Sequence, residues 1–120
     1  MPRSIRLYLV DMQMALNRID GLLQGLDEAA FRSGSLAVDG VLFNLMTIGE
    51  AAKHIPPEVR AQAPAINWSA IGRFRDFVVH HYFSLDMDKV WEIVHTDLPP
   101  LKAAVAQLLQ EIGDEDNGKE

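Results

Sequence analysis

Apolar residues return every three or four positions along almost the whole chain. Between Ile5 and about Gly25 they fall at Leu9, Met12, Leu16, Ile19, Leu23 and Leu26, the period of a helix that buries one face. No segment shows the two-residue alternation of a half-buried strand, and no internal repeat stands out. Helices of this length are marginal alone, so the apolar stripes must pack against one another. The expected fold class is all-α, an antiparallel bundle of four to five main helices joined by short connections.

Local punctuation sets the boundaries. Gly25 and the run Phe31-Arg32-Ser33-Gly34-Ser35 break the first pattern around a helical turn at residues 27–31. Ser35 is placed to cap a second long helix over residues 36–54, which Pro56-Pro57 stops. Residues 57–62 form one or two turns closed by Pro64. Asn67 can cap a third main helix, residues 68–82, and Asp86 or Asp88 starts another at residues 89–95. Asp97 can recap the chain before Pro99-Pro100 for a final helix to Ile112.

A chain of 120 residues with 48% hydrophobic content makes one domain, here residues 1–113. Residues 114–120 hold four acids and one base and read as an acidic disordered tail. Without cysteine, neither a disulfide framework nor a thiolate metal site can be built. No apolar run is long enough for a signal peptide or a membrane span, so a cytoplasmic location is expected. The net charge of -6 argues against tight, sequence-blind binding to long nucleic acid. Any RNA contact has to be local to Arg73, Arg75, His80 and His81.

Those residues fall in the string Arg75-Asp76-Phe77-Val78-Val79-His80-His81-Tyr82, an R-x4-H-x-Y pattern in a core-forming segment. Phe74, Phe77, Val78 and Val79 call for burial, while Arg75, His80 and Tyr82 call for water, a charge partner or a ligand. On an ideal helical wheel Arg73, Asp76 and His80 share a face, so Asp76 is placed to hydrogen-bond His80. Arg75 lies about 140° from His80 on the same wheel. The two can meet if the helix ends near His80, if the arginine curls round, or if a second copy supplies the facing group. Spacing alone equally fits surface ion-pairing residues followed by a helix-end histidine and a half-buried tyrosine.

Other ionisable groups carry a functional and a structural reading in the same way. Glu92-Ile93-Val94-His95 has the Glu-x-x-His spacing of di-iron bundles, but such a site needs two of these motifs; Glu92 and His95 read as a solvated face. Glu50 and His54 also lie one turn apart. Glu50 sits in the small-residue stretch Ile48-Gly49-Glu50-Ala51-Ala52, where it is either a buried carboxylate wanting Arg75 as partner or a rim glutamate. Trp68 and Trp91 look like core or interface anchors. Neither a bound metal nor a cofactor is expected, since no phosphate loop, nucleophile elbow or zinc spacing is present.

Taken in order, Tyr8-Leu9-x-Asp11, the Ile48 to Ala52 stretch, Trp68-x-x-Ile71, Arg75-x4-His80-x-Tyr82-Phe83, Val90-Trp91 and Asp97-Leu98-Pro99 resemble the HEPN superfamily. Within it, the chain looks like a member of the branch of HepT-like toxins, which pair with a minimal nucleotidyltransferase (MNT) antitoxin. The resemblance implies a homodimeric helical bundle whose two R-x4-H-x-Y motifs line a cleft, and a metal-independent endoribonuclease. Carried over, Arg75 and His80 match the catalytic pair, and Tyr82 matches the tyrosine that the antitoxin modifies with AMP. Asp76 stands where the pattern commonly has asparagine; its charge would repel a phosphate, and Arg73 could offset it. Glu50 would support Arg75.

These residue types suit RNA cleavage through the 2'-hydroxyl. A free imidazole, with a pKa of about 6.5, can act as base or acid at neutral pH, and a guanidinium grips phosphate oxygens. One His80 per chain provides one proton-transfer group and a dimer provides two. The alternative is a non-catalytic helical partner that presents Tyr82 or RNA to the nucleotidyltransferase, and Asp76 favours it.

Overall fold

The computed structural model of the chain describes residues 3–117, with side chains as far as Ile112. Among the described residues seven helices follow one another: α1 (Ile5–Leu23), α2 (Glu28–Ser33), α3 (Leu36–Ala52), α4 (Pro57–Arg60), α5 (Trp68–His80), α6 (Met87–Thr96) and α7 (Leu98–Asn117). A 3-10 turn at Tyr82–Ser84 joins α5 to α6. There is no strand among the described residues, and the all-α bundle expected from the periodicity is what the chain forms.

Short polar side chains start these helices by accepting the backbone N–H groups that a first turn leaves unpaired. Ser4 accepts from Leu7, Asp27 from Ala30, Ser35 from Val38 and Asn67 from Ala70. At α6 the cap is Asp86, which accepts from both Asp88 and Lys89. Gly25 and Gly34, at φ 80° and 83°, turn the chain on either side of α2 through a region that side chains disfavour.

Most helix ends shift by one or two residues, α3 ending at Ala52 rather than at residue 54, and two further differences matter more. α5 stops at His80 rather than Tyr82, because His81 leaves helical geometry at φ -127°, ψ 28°. α7 continues to Asn117, so it overlaps the expected acidic tail, whose last residues, 118–120, lie outside the described residues.

α3 is the central element, packed on one side by α1 and on another by α5; α7 packs on α1 and α6, and α2 on α6. Leu9, Met12, Leu16 and Ile19 from α1 meet Val38, Val41, Leu45 and Ile48 from α3 and Leu101, Val105 and Leu108 from α7. Each fully buried side chain of this kind contributes about 1.5–3 kcal/mol, which is what holds such short helices. Trp68 is buried in this core, while Trp91 is half-buried against Phe31. No helix among the described residues is long and apolar enough to cross a membrane.

Candidate active site

The site forms where α5 crosses α3, because Gly49 lets the two backbones approach at Arg75. Arg75 is thereby set between two carboxylates. Its Nη1 donates to Oδ1 of Asp76 at 3.1 Å, and its enclosed Nε lies 3.4 Å from Oε1 of Glu50, at ion-pair distance but outside hydrogen-bond geometry. Nζ of Lys53 donates to the same Asp76 oxygen at 2.5 Å. Two cations and two anions thus balance, and a phosphate reaching Arg75 has to compete with Asp76 and Glu50 for the guanidinium. The hydrogen bond from Lys53, then that from Arg75, holds the Asp76 carboxyl below the usual carboxylate range.

Arg75 opens onto a cavity of about 310 Å³ that Tyr8, Asp11, Phe43, Thr47 and Glu50 also line. Glu50 is half-exposed, so it is at once the rim residue and the Arg75 partner that the sequence offered as alternatives. Behind it, His54 stacks on Tyr8.

Other candidates lie elsewhere. His80 ends α5 in solvent, its side chain making no hydrogen bond, ion pair or ring contact to another described residue. The expected Asp76–His80 hydrogen bond is not formed: two formal positive charges, from Lys53 and Arg75, outcompete an imidazole for that carboxylate. Nor does Arg73 offset Asp76. It is exposed on the wall of a separate, mostly apolar cavity of about 630 Å³, beside Phe74, Phe77, Ile93 and Leu98, and Lys53 takes the role instead. Tyr82 sits in the turn after α5, partly buried against the core with its ring 5.5 Å from that of the fully exposed Phe83.

Glu92 and His95 face solvent on α6, where Glu92 lies 3.9 Å from Lys89 and the His95 ring packs 4.0 Å from Trp91. Among the described residues no three of His, Asp and Glu are grouped to hold a metal ion. The structure thus joins Arg75, Asp76 and Glu50, and leaves His80, Arg73 and Tyr82 apart from them within one chain. Sequence reasoning misses Lys53, Tyr8 and the role of His54 beside Glu50; the one-turn Glu50/His54 spacing is the available signal, and Lys53 gives none.

These residues sit within a matched family region, since the family model for "Ribonuclease HepT-like" proteins matches residues 12–108. The chain belongs to the HepT-like ribonuclease family. A HepT-like relative from Thermococcus cleftensis, named "Probable ribonuclease HepT", is 32% identical over 90% of this chain and 98% of its own length. A Methanocaldococcus jannaschii protein, whose name joins gamma-glutamylcyclotransferase to a provisional RNase designation, is 28% identical over 99% of this chain; the match spans 54% of that protein. A second M. jannaschii protein, provisionally named an RNase, is 26% identical over 95% of this chain and 94% of its own. No solved structure matches the chain with significance.

Proposed function

We propose that this HepT-like chain is a metal-independent endoribonuclease, the toxin of a toxin-antitoxin pair, working as a homodimer with Arg75 and His80 at a shared cleft. The single observation that carries the reading is Arg75, held by Glu50 and Asp76 at the wall of a cavity, in a chain of this family. In this mechanism a 2'-hydroxyl attacks the neighbouring phosphorus, the P–O5' bond breaks, and Arg75 stabilises the negative charge that builds on the phosphorane oxygens. An imidazole moves each proton.

The separation of Arg75 and His80 within one protomer supports a two-chain site. His80 is exposed at the end of α5 and free to be offered to a partner's arginine, and the exposed Phe77 and Val79 give that partner apolar surface to cover. A cognate MNT-type nucleotidyltransferase would silence the toxin by adding AMP to Tyr82.

The test is cleavage of total RNA by purified protein, with product ends mapped. The wild type is expected to leave 2',3'-cyclic phosphates with or without chelator, and His80→Ala and Arg75→Ala to leave RNA intact while remaining folded and dimeric. Cleavage retained by His80→Ala rejects the reading. Asp76, which already occupies Arg75, favours a second one: a non-catalytic partner of the nucleotidyltransferase. A wild-type dimer that cleaves no RNA yet accepts AMP would select it.

A further inference from the structure

Within one chain, His80 is not the imidazole that the fold brings toward Arg75. That imidazole belongs to His54. Its Nε2 lies 3.5 Å from Oε2 of Glu50, and the other oxygen of the same carboxylate lies 3.4 Å from Nε of Arg75. One carboxylate therefore bridges a guanidinium on α5 and an imidazole just beyond α3. The His54 ring lies flat on Tyr8, with centroids 4.4 Å apart and planes within 1°, and both Tyr8 and Glu50 line the cavity onto which Arg75 opens.

Each contact has a chemical consequence. A carboxylate 3.5 Å from Nε2, short of hydrogen-bond geometry, favours by its charge the tautomer that carries the proton there, which leaves the Nδ1 lone pair as an acceptor. The stack fixes the plane of the ring, so that acceptor keeps one direction. No other described residue occupies Nδ1, and the side chain is 46% exposed, open to a substrate. A carboxylate behind one ring nitrogen, with the other nitrogen free and a phosphate-binding guanidinium on the far side of the same carboxylate, is an arrangement that suits a general base.

We infer that His54 is a second catalytic residue of the ribonuclease, the base that takes the proton from the attacking 2'-hydroxyl. The inference rests on the ribonuclease reading and deepens it. Nδ1 of His54 accepts the 2'-hydroxyl proton as the 2'-oxygen forms its bond to phosphorus. The P–O5' bond breaks, and O5' leaves with the bonding pair and takes a proton from the imidazolium of His80 on a second copy of the chain. The products are a 2',3'-cyclic phosphate and a 5'-hydroxyl. His54 is then a cation beside Glu50, His80 is neutral, and exchange with water restores both.

The ionisable groups that share this environment come from three elements. Glu50 lies on α3 and Lys53 just past its end; Tyr8 and the paired Arg3 and Asp11 come from the N-terminal segment and α1; Arg75 and Asp76 lie on α5. Arg3 lies 4.8 Å from the Tyr8 ring centroid. All of them bear on the pH profile, so the test compares variants rather than reading one absolute value.

The experiment measures kcat and KM for a defined RNA between pH 5 and 9, for wild type, His54→Ala, His54→Gln and His80→Ala, with circular dichroism and gel filtration as controls. His54→Ala is expected to lower kcat by about 10²- to 10⁴-fold with KM little changed, and to remove one limb of the bell-shaped profile while the other remains. His54→Gln should be equally impaired, because an amide can hold Glu50 but cannot take a proton. It also carries the test alone if the alanine variant does not fold. Wild-type rate and both limbs in His54→Gln would overturn the inference and make His54 a prop for Glu50. Loss of activity in His80→Ala but not in His54→Ala overturns it while leaving the ribonuclease reading in place. A wild type that cleaves no RNA rejects both.

Discussion

The backbone of Gly49 lies so close to Arg75 that a Cβ built at Gly49 would overlap the Arg75 Cβ and fall 3.1 Å from the Ile71 carbonyl oxygen. Neither neighbour is the far end of a flexible side chain, so a methyl group there must push the two helices apart. In an open helix Gly→Ala stabilises by roughly 0.5–1 kcal/mol. At Gly49 the sign should reverse. Gly49→Ala is expected to destabilise by about 1–3 kcal/mol through overpacking, and to lower RNA cleavage because Arg75 moves with α5. Urea denaturation read alongside a cleavage assay checks both, and a variant as stable as wild type would contradict the close crossing. Gly40 is the control: a Cβ added there meets only the tip of Leu22 at 2.8 Å, which can rotate away.

Asp76 gives a pH dependence with a definite sign. Its folded carboxyl titrates below the ordinary value of 3.8 because the anion accepts hydrogen bonds from Lys53 and Arg75. An acid depressed on folding adds stability that is fully present above its unfolded pKa and is lost as pH falls through the lower folded one. Asp76→Asn should therefore be less stable than wild type at pH 7, with the difference shrinking below about pH 4. Denaturation of the two proteins at matched pH values tests this. A gap that stays constant down to about pH 2.5 would show that the carboxylate charge is not what Lys53 and Arg75 recognise.

Most helix starts could be read from the sequence because a cap is a local device. Ser35, Asn67 and Asp86 each sit within three residues of the N–H they satisfy. Partners chosen between helices could not be read in this way. A helical wheel puts His80 one turn from Asp76, yet the carboxylate goes to Lys53, 23 residues away, because α3 and α5 cross there. The arginine of the motif was legible as a residue at odds with its apolar setting, and Glu50 was legible as a candidate partner. The stack of Tyr8 on His54, which joins α1 to the end of α3, has no local signal at all.

In the proposed scheme, Tyr82 would separate modification from catalysis. It lies in the turn that follows α5, outside the group around Arg75, and its ring is partly buried against the core. Tyr82→Phe keeps the ring and its packing and removes only the hydroxyl that would receive AMP. The variant is expected to keep the fold and, within about threefold (~0.6 kcal/mol), the cleavage rate, while a cognate nucleotidyltransferase supplied with ATP no longer silences it. Intact-mass analysis reads the adduct directly. AMP addition to Tyr82→Phe at the wild-type level would place the modified residue elsewhere.

Arg60 ties the end of α3, and so the segment bearing Lys53 and His54, to the rest of the bundle. Its Nε donates to the Ile55 carbonyl at 2.8 Å and its Nη2 to the Ala52 carbonyl at 2.9 Å. These oxygens lie at and just beyond the last turn of α3, where carbonyls run short of helical partners; Ala52 also accepts the Ile55 N–H at 3.2 Å. Arg60→Ala leaves the Ile55 carbonyl unpaired and the Ala52 carbonyl with the Ile55 N–H alone, and it removes charge-assisted donors, which should cost about 1–3 kcal/mol. Arg60→Lys should recover less than half of that, because an ammonium lacks the planar fork that reaches both oxygens at once. Thermal denaturation distinguishes the outcomes, with the midpoint expected to fall by roughly 3–6 °C per kcal/mol for a domain of this size. If Arg60→Lys matched the wild type, a single point charge near the helix end would account for the effect and the two-oxygen clamp would be energetically idle.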